Sequence, residues 1–283
     1  MRAFSRFACV DWSGAKGSRH AGIALAVCTQ GDDAPTLVAP PGKGWSRQGI
    51  ADWLLAQDDD LLIGFDFSFA PPIIERGSYL PGDAVPETAR AFWAYVDAQC
   101  DDDDLGAASF LEQRHRQHFY FGASDGRKSD YMHLRRCEAH YKAQGGGKPS
   151  TVYDAIGAAQ VAKASFAGMR FLHQVGSRLP IWPFDPIRTS GPQIVEIYTQ
   201  IAARASGLRK GRSKIRDGAG LDLALDAFGS RPHLPLERYS DHATDAILTA
   251  AWLRKMSQNP LFWSPTQLNS AISSTEGWTF GVI

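Results

Sequence analysis

Two short, strongly apolar segments of the chain each end in an aspartate: residues 7–11 (Phe-Ala-Cys-Val-Asp) and residues 61–66 (Leu-Leu-Ile-Gly-Phe-Asp). Runs this apolar are typical of strands buried on both faces, in a sheet covered by helices. Aspartate is depleted in strands, so its presence at the same terminal position of two strands needs a reason. If the strands are parallel neighbours, Asp11 and Asp66 lie roughly 5 Å apart, close enough to hold divalent cations between them. The alternative is that both residues only begin turns.

Length and composition fit a globular protein with a substantial core. At 283 residues the chain is long enough for one large domain or two small ones, and we interpret residues 1–283 as a single domain. Basic and acidic residues both total 30, so the zero net charge gives no global case for nucleic-acid binding. The N-terminus lacks a secretory signal, no apolar run is long enough to span a bilayer, and the four cysteines lack paired spacing. We therefore expect a cytoplasmic protein with reduced thiols and no membrane partner.

The predicted elements follow the order of a mixed sheet covered by helices. Five segments have the apolar character and the flanking turn residues of strands: residues 7–11, 21–27, 36–39, 61–66 and 193–198. The first two predict a hairpin, and Ser46 is a good N-cap for a helix before the fourth strand. A crossover through that helix makes the fourth strand parallel to its partner. The sequence therefore predicts an α/β fold with a mixed five-stranded sheet.

The stretch from residue 73 to 150 differs in character from the rest of the chain. It is richer in charged, histidine and aromatic residues, and it predicts helices around residues 89–100 and 132–142. We interpret residues 73–150 as a helical insertion after the fourth strand. Beyond it, residues 153–175 predict one or two helices packed on the sheet, and Ser240 begins a long C-terminal helix.

Five blocks, in chain order, resemble an uncharacterised bacterial family. The blocks are Val-Asp-Trp-Ser-Gly (10–14), Gly-Phe-Asp-Phe-Ser-Phe (64–69), Val-Glu-Ile-Tyr (195–198), Ser-Asp-His-Ala-Thr-Asp-Ala (240–246) and Glu-Gly-Trp-Thr-Phe-Gly-Val (276–282). They resemble the domains of unknown function numbered four-two-nine, over most of the chain apart from the insertion. One departure is the Tyr198-Thr199 step, which lacks the proline expected after the Glu196 strand.

The resemblance implies a ribonuclease-H-like fold and, by analogy with nucleases of that fold, a metal-dependent nuclease, although the family has no established reaction. In that superfamily Asp11 and Asp66 match the acids at the strand ends, and the C-terminal helix matches the element that brings a further acid. Hydrolysis of a phosphodiester develops negative charge on the entering and leaving oxygens, which two Mg²⁺ or Mn²⁺ ions stabilise. Carboxylates are the hard oxygen ligands that such ions prefer. We expect Asp11 to bridge the two ions.

The C-terminal helix offers two candidate ligands, Asp241 and Asp245, which are four residues apart and share a helix face. An acid in the first helical turn interacts favourably with the helix macrodipole, so the presence of Asp241 has an explanation that does not involve a metal. Asp245, one turn deeper among apolar residues, is the better ligand candidate. The role of His242 stays open between a site residue and a surface residue of the helix.

Glu196 stands in an otherwise apolar strand, and a buried carboxylate without partners is costly. It is a candidate catalytic ligand; the alternatives are an ion pair with an arginine and a solvent-facing position on an edge strand. Lys16, in the turn after Asp11, is a candidate phosphate contact, although a lysine at a hairpin tip is commonly only solvated.

A basic stretch without an acid lies after the fifth strand and contains Arg204, Arg209, Lys210, Arg212, Lys214 and Arg216. It is either a solvated loop or, if it folds over an acidic site, a segment that binds phosphates. From this stretch we take Arg209, Lys210 and Arg212 as candidate substrate-binding residues.

The insertion raises a competing zinc hypothesis. His133, Cys137 and His140 have a spacing that places them along one helix stripe, and His115 and His118 are nearby in sequence. The alternative is a basic helix that lines a substrate groove through charge and through stacking on Tyr131 and Tyr141.

Three functional hypotheses follow. The first is a Mg²⁺- or Mn²⁺-dependent phosphodiesterase, a hydrolase acting on DNA or RNA. The second is a nucleotide-binding ATPase or kinase-like protein of the same fold, with the turn at residues 11–17 as a phosphate loop. The third is a noncatalytic binding module, since a fold does not fix a function.

Overall fold

A computed structural model describes residues 2–157, 161–208 and 214–283. Its centre is a sheet of six strands: β1 (Arg6–Asp11), β2 (Ala24–Thr29), β3 (Thr36–Leu37), β4 (Leu61–Phe65), β5 (Ile181–Trp182) and β6 (Gln193–Glu196). The strand order across the sheet is β3-β2-β1-β4-β6-β5. β1 is antiparallel to β2 and β2 to β3, whereas β1, β4, β6 and β5 run parallel to one another. The mixed α/β sheet is therefore confirmed.

Nine α-helices lie in the described residues: α1 (Arg47–Leu55), α2 (Ala89–Ala98), α3 (Arg136–Ala143), α4 (Val161–Gly176), α5 (Thr199–Ala205), α6 (Gly218–Asp226), α7 (Asp241–Met256), α8 (Pro260–Trp263) and α9 (Ser270–Ser274). Ser46 caps α1 by accepting a hydrogen bond from Gly49 N–H, as the sequence predicted. None of the helices in the described ranges combines the length and apolar character that crossing a membrane requires.

The predicted count of five strands is wrong by one, because β5 forms the far edge of the sheet beside β6. It contains only Ile181 and Trp182, between Pro180 and Pro183. A two-residue strand carries no periodicity, and proline at its borders argues against a strand. The third strand is also shorter than predicted, since it ends at Leu37.

Residues 73–150 contain α2, α3 and several short helical turns. α2 matches its predicted position, but the helix predicted from residue 132 begins only at Arg136. The reason is a local cap: the Glu138 side chain accepts a 2.9 Å hydrogen bond from Arg135 N–H, which fixes the start of α3.

The two faces of the sheet are buried in separate cores. Alternate residues of β1 point to opposite sides: Ala8 and Val10 join the core that includes α1, α2 and α4, and Phe7 and Cys9 join the core under α7. Asp11 continues the alternation of Phe7 and Cys9 and so belongs to the α7 face. The strand pattern thereby fixes which helix the terminal carboxylate meets.

Candidate metal centre

Asp11 and Asp66 end neighbouring parallel strands. In the register of β1 and β4, Val10 pairs with Phe65, the residues just before the two aspartates. Asp66 N–H continues the ladder by donating to the Val10 carbonyl at 3.1 Å. The prediction that these strands are parallel neighbours is confirmed. Asp11 and Asp66 therefore lie side by side where the carboxyl ends of the two strands meet one edge of the sheet.

Helix α7 brings Asp245 to the same edge. Ser240 caps α7 by accepting from Ala243 N–H at 3.2 Å, which confirms the predicted start of the helix. The helix packs across β1 and β2. Gly64 allows this close approach near the site, since a Cβ there would lie 2.6 Å from Ile197 and 3.0 Å from Leu253. The absence of a Cβ at this glycine therefore lets α7 pack close to β4.

The acids line a cleft of 710 Å³. Its lining includes Asp11, Asp66, Asp241, His242 and Asp245, from the ends of β1 and β4 and from α7. It also includes Arg135, Glu138, Tyr141 and Lys148, from α3 and the residues that flank it. Residues 73–150 thus contribute to the lining of the cleft.

Asp11 is buried, and His242 is its polar partner. The His242 Nδ1 atom lies 3.0 Å from Asp11 Oδ1. Burial raises the pKa of Asp11, and the contact with His242 opposes that rise. The same contact raises the pKa of His242. His242, whose role the sequence left open, therefore lies at the site although 47% of its side chain is exposed.

Asp66 and Asp245 are buried carboxylates whose pKa values are raised by burial and by a neighbouring negative charge. Burial raises the pKa of Asp66 to about 8, and the neighbouring Asp11 charge is the next cause. Burial and Asp11 likewise raise the pKa of Asp245 to about 6. Asp66 is oriented by Thr199, which donates from Oγ1 to Oδ2 at 2.9 Å and from its N–H to Oδ1 at 3.4 Å. Asp11 is thus the charged neighbour shared by both other acids.

The donor set suits a hard divalent cation. Asp11, Asp66 and Asp245 offer carboxylate oxygens, the ligands that Mg²⁺ and Mn²⁺ prefer. Among the described residues, their oxygens do not all lie within 4.8 Å of one another. This spacing is wider than direct binding of all three to one Mg²⁺ requires, since the ligand oxygens of one octahedral ion lie roughly 3–4 Å apart.

Asp241 forms ion pairs with two basic residues. Arg216 donates to its Oδ1 at 2.7 Å, and Lys214 Nζ lies 3.0 Å from its Oδ2. Partial burial acts to raise the pKa of Asp241, but the two contacts together outweigh it and lower the pKa. Because both of its oxygens carry a cationic group, Asp241 is a poorer metal ligand than Asp245, in line with the preference drawn from the sequence.

The end of the basic stretch does fold over the acidic site. Lys214 Nζ lies between Asp241 and Asp245, 3.8 Å from Asp245 Oδ2. The three candidates Arg209, Lys210 and Arg212 lie outside the described residues. Lys16 pairs with Glu112 at 2.8 Å and is not among the residues that line the cleft, so it does not reach the acids.

Glu196 is an ion-pair partner rather than a free ligand. Its carboxylate accepts from both terminal nitrogens of Arg135, from Phe69 N–H at 2.7 Å and from Thr279 Oγ1 at 2.6 Å. It pairs in register with Phe65, one residue before Asp66, and so projects to the other face of the sheet. The catalytic assignment of Glu196 is corrected to the arginine alternative, because four donors occupy its lone pairs.

The histidines and cysteine of the zinc hypothesis are not brought together. His133 precedes α3, Cys137 is buried with its Sγ 3.7 Å from Thr279 Oγ1, and His140 Nε2 lies 2.8 Å from the Ile283 carbonyl. Their spacing suggested one helix stripe, but the late start of α3 leaves His133 outside the helix. His115 and His118 lie elsewhere, against Asp83.

The chain matches no protein-family model, no curated protein and no solved structure. The resemblance to the domains of unknown function numbered four-two-nine therefore stays a prediction.

Proposed function

We propose that the protein is a divalent-metal-dependent phosphodiesterase that cleaves nucleic acid, with Asp11, Asp66 and Asp245 as its metal ligands. The observation that carries the proposal is the meeting of three carboxylates from β1, β4 and α7 in one cleft. Crowding like charges in a desolvated place is costly, and bound cations offset that cost. Raised pKa values of this kind cluster at functional sites.

The topology supports a ribonuclease-H-like fold as part of this proposal. Three antiparallel strands, β1 to β3, are followed after α1 by β4, which lies parallel beside β1, and then by β6 beside β4. The acids come from the first and fourth strands and from a later helix, as the resemblance implies. The edge strand β5 is an addition to the five-stranded arrangement.

Mg²⁺ or Mn²⁺ ions, once bound, would neutralise charge on the phosphate and lower the pKa of an attacking water. The residues of the chain bind the ions, orient a ligand and contact the substrate. Asp11, Asp66 and Asp245 would hold the ions, and Thr199 fixes the orientation of the Asp66 carboxylate. Lys214, which lines the cleft, and Arg216, which pairs with Asp241, would contact phosphate oxygens of the substrate.

The test is cleavage of labelled single-stranded, duplex and branched DNA and RNA, with Mg²⁺, with Mn²⁺ and with a chelator. We expect divalent-dependent cleavage that Asp11→Asn and Asp66→Asn each reduce by about 100-fold or more, the scale on which loss of one charge-stabilising group acts. Asp226→Asn, an exposed aspartate at the end of α6, is the matched control and should keep full activity.

Absence of cleavage from the whole panel would contradict the proposal, as would full activity in both variants. Calorimetry with ATP on the same preparation addresses the nucleotide-binding hypothesis. Saturable ATP binding without nucleic-acid cleavage would favour that hypothesis over the phosphodiesterase.

A further inference from the structure

A second group of metal-type ligands lies outside the carboxylate cleft. Asp83, His115 and His118 place one ligand atom each within 4.8 Å of the others, the one such trio in the described ranges. His115 Nδ1 lies 2.7 Å and His118 Nε2 2.9 Å from the same oxygen, Oδ2 of Asp83. None of the three lines the acidic cleft.

The backbone presents the two histidines on one side. His115 follows a π-helical turn, Phe110–Arg114, and its N–H donates to the Phe110 carbonyl at 3.0 Å. His118 ends the next 3₁₀ turn, and its N–H donates to the His115 carbonyl at 3.0 Å. The two rings are therefore one tight turn apart and both face the Asp83 loop.

Surrounding side chains hold the rings in this orientation. Tyr95 Oη lies 3.1 Å from His115 Nε2, the nitrogen that does not face Asp83. The ring of Phe110 packs against His115 with centroids 4.5 Å apart. Only 9% of either histidine side chain is exposed. A hydrogen bond on the far nitrogen of a ligating histidine is the usual way to fix its tautomer and direction.

We propose that Asp83, His115 and His118 bind a divalent transition-metal ion, with Zn²⁺ as the ion to probe. Two imidazole nitrogens and one carboxylate suit zinc and its first-row neighbours, whereas Mg²⁺ prefers oxygen ligands alone. The 27% exposure of the Asp83 side chain leaves room for water or an exchangeable ligand as the fourth donor. The site is independent of the proposed nuclease centre.

The position of the trio indicates a structural role for the ion. Asp83 precedes α2, and the histidines follow it by 32 and 35 residues. A metal ion bound to all three would link the loop before α2 to the turns that follow α2. This link would close a long loop within residues 73–150. Zinc should therefore stabilise this part of the chain.

The experiment is equilibrium dialysis of the full chain against Zn²⁺ in excess Mg²⁺, with metal content measured by atomic emission. Excess Mg²⁺ competes with Zn²⁺ for sites made of oxygen ligands alone, such as the carboxylate cleft, and competes poorly for nitrogen ligands. We expect one tightly bound Zn²⁺ per chain, with affinity reduced about 100-fold or more in Asp83→Asn and His118→Gln. His173→Gln, an exposed histidine on α4, and Asp11→Asn should both retain the ion.

Two outcomes would overturn the proposal: no zinc retained by the wild-type chain, or equal retention by the Asp83 and His118 variants. If either variant does not fold, the visible spectrum of the Co²⁺-loaded wild-type chain decides. A nitrogen-ligated site of low coordination number gives strong absorption bands, and their absence contradicts the assignment. Thermal unfolding adds a further readout, since Zn²⁺ should raise the Tm of the wild type and of His173→Gln but not of His118→Gln.

Discussion

The backbone N–H of Asp66 donates to the carbonyl of Val10, the residue before Asp11, at 3.1 Å. This single ladder bond fixes the two aspartates side by side at the ends of β1 and β4. α7 then adds Asp245 on the same face. In the described residues the side chain of Asp66 is hydrogen-bonded by Thr199 alone, which carries no charge. The buried Asp66 carboxylate therefore has no cationic partner among the described residues.

Replacing Asp66 should stabilise the metal-free protein. At pH about 8 we expect Asp66→Asn to raise the free energy of unfolding by about 1–3 kcal/mol. The rise in the pKa of Asp66 from 3.8 to about 8 corresponds to at most about 6 kcal/mol, and the buried amide of the variant offsets part of that gain. The sign follows from the raised pKa: the folded state keeps a proton that the unfolded state has lost, so stability falls between pH about 4 and about 8. Asn carries no such charge. Urea titration in chelator measures the effect, and a loss of stability in this variant would contradict it.

The affinity for Mg²⁺ should rise with pH and then level off. Below pH about 8 a proton must leave Asp66 before the ion binds, so the association constant should increase up to about tenfold per pH unit. Below pH about 6 the dependence should be steeper, because Asp245 then also loses a proton. Calorimetry at several pH values tests this expectation. Affinity that does not change between pH about 6 and about 8 would argue against binding at these acids.

Lys214 should contribute to substrate binding through charge. We expect Lys214→Ala to weaken nucleic-acid binding and to reduce the slope of log K against log salt by about 0.7–0.9, the loss of one phosphate contact. Lys255→Ala is the control, since Lys255 is an exposed lysine at the far end of α7. Binding to a labelled oligonucleotide, with Ca²⁺ in place of Mg²⁺, gives both slopes. Identical slopes in the two variants would show that Lys214 does not contact the substrate phosphates.

The Arg135–Glu196 pair should act on stability and not on metal binding. Arg135→Met leaves Glu196 and Glu138 buried without their cation, which should cost about 3–5 kcal/mol in unfolding free energy. Glu196→Gln keeps acceptor and shape and should leave the number of bound Mn²⁺ ions unchanged. Calorimetric titration with Mn²⁺ checks the second expectation. A lower stoichiometry in Glu196→Gln would restore the ligand role that the sequence first suggested.

Local sequence signals were sufficient for much of the sheet and for the first two acids. The apolar runs ending at Asp11 and Asp66 located β1 and β4, and the crossover rule made them parallel. Ser240 located the start of α7 and thereby Asp245. These features depend on short-range chemistry: burial on both strand faces and a capping hydroxyl.

The missed features depend on partners that are distant in the chain. The sequence predicts Glu196 as a candidate ligand, because its ion pair with Arg135, 61 residues earlier, is visible only in the structure. His242 gains its role only from contact with Asp11, and β5 gains its strand character only from β6. The meeting of Asp83 with His115 and His118 depends on the path of the loops around α2. No periodicity marks such contacts.

A crystal of the protein soaked in Mn²⁺, with anomalous diffraction measured at the manganese edge, tests directly whether the three acids bind a cation. We expect anomalous density in the cleft, within ligand distance of Asp11 and of Asp66 or Asp245, and its loss in Asp11→Asn. Mn²⁺ sites elsewhere with none beside these three carboxylates would contradict it.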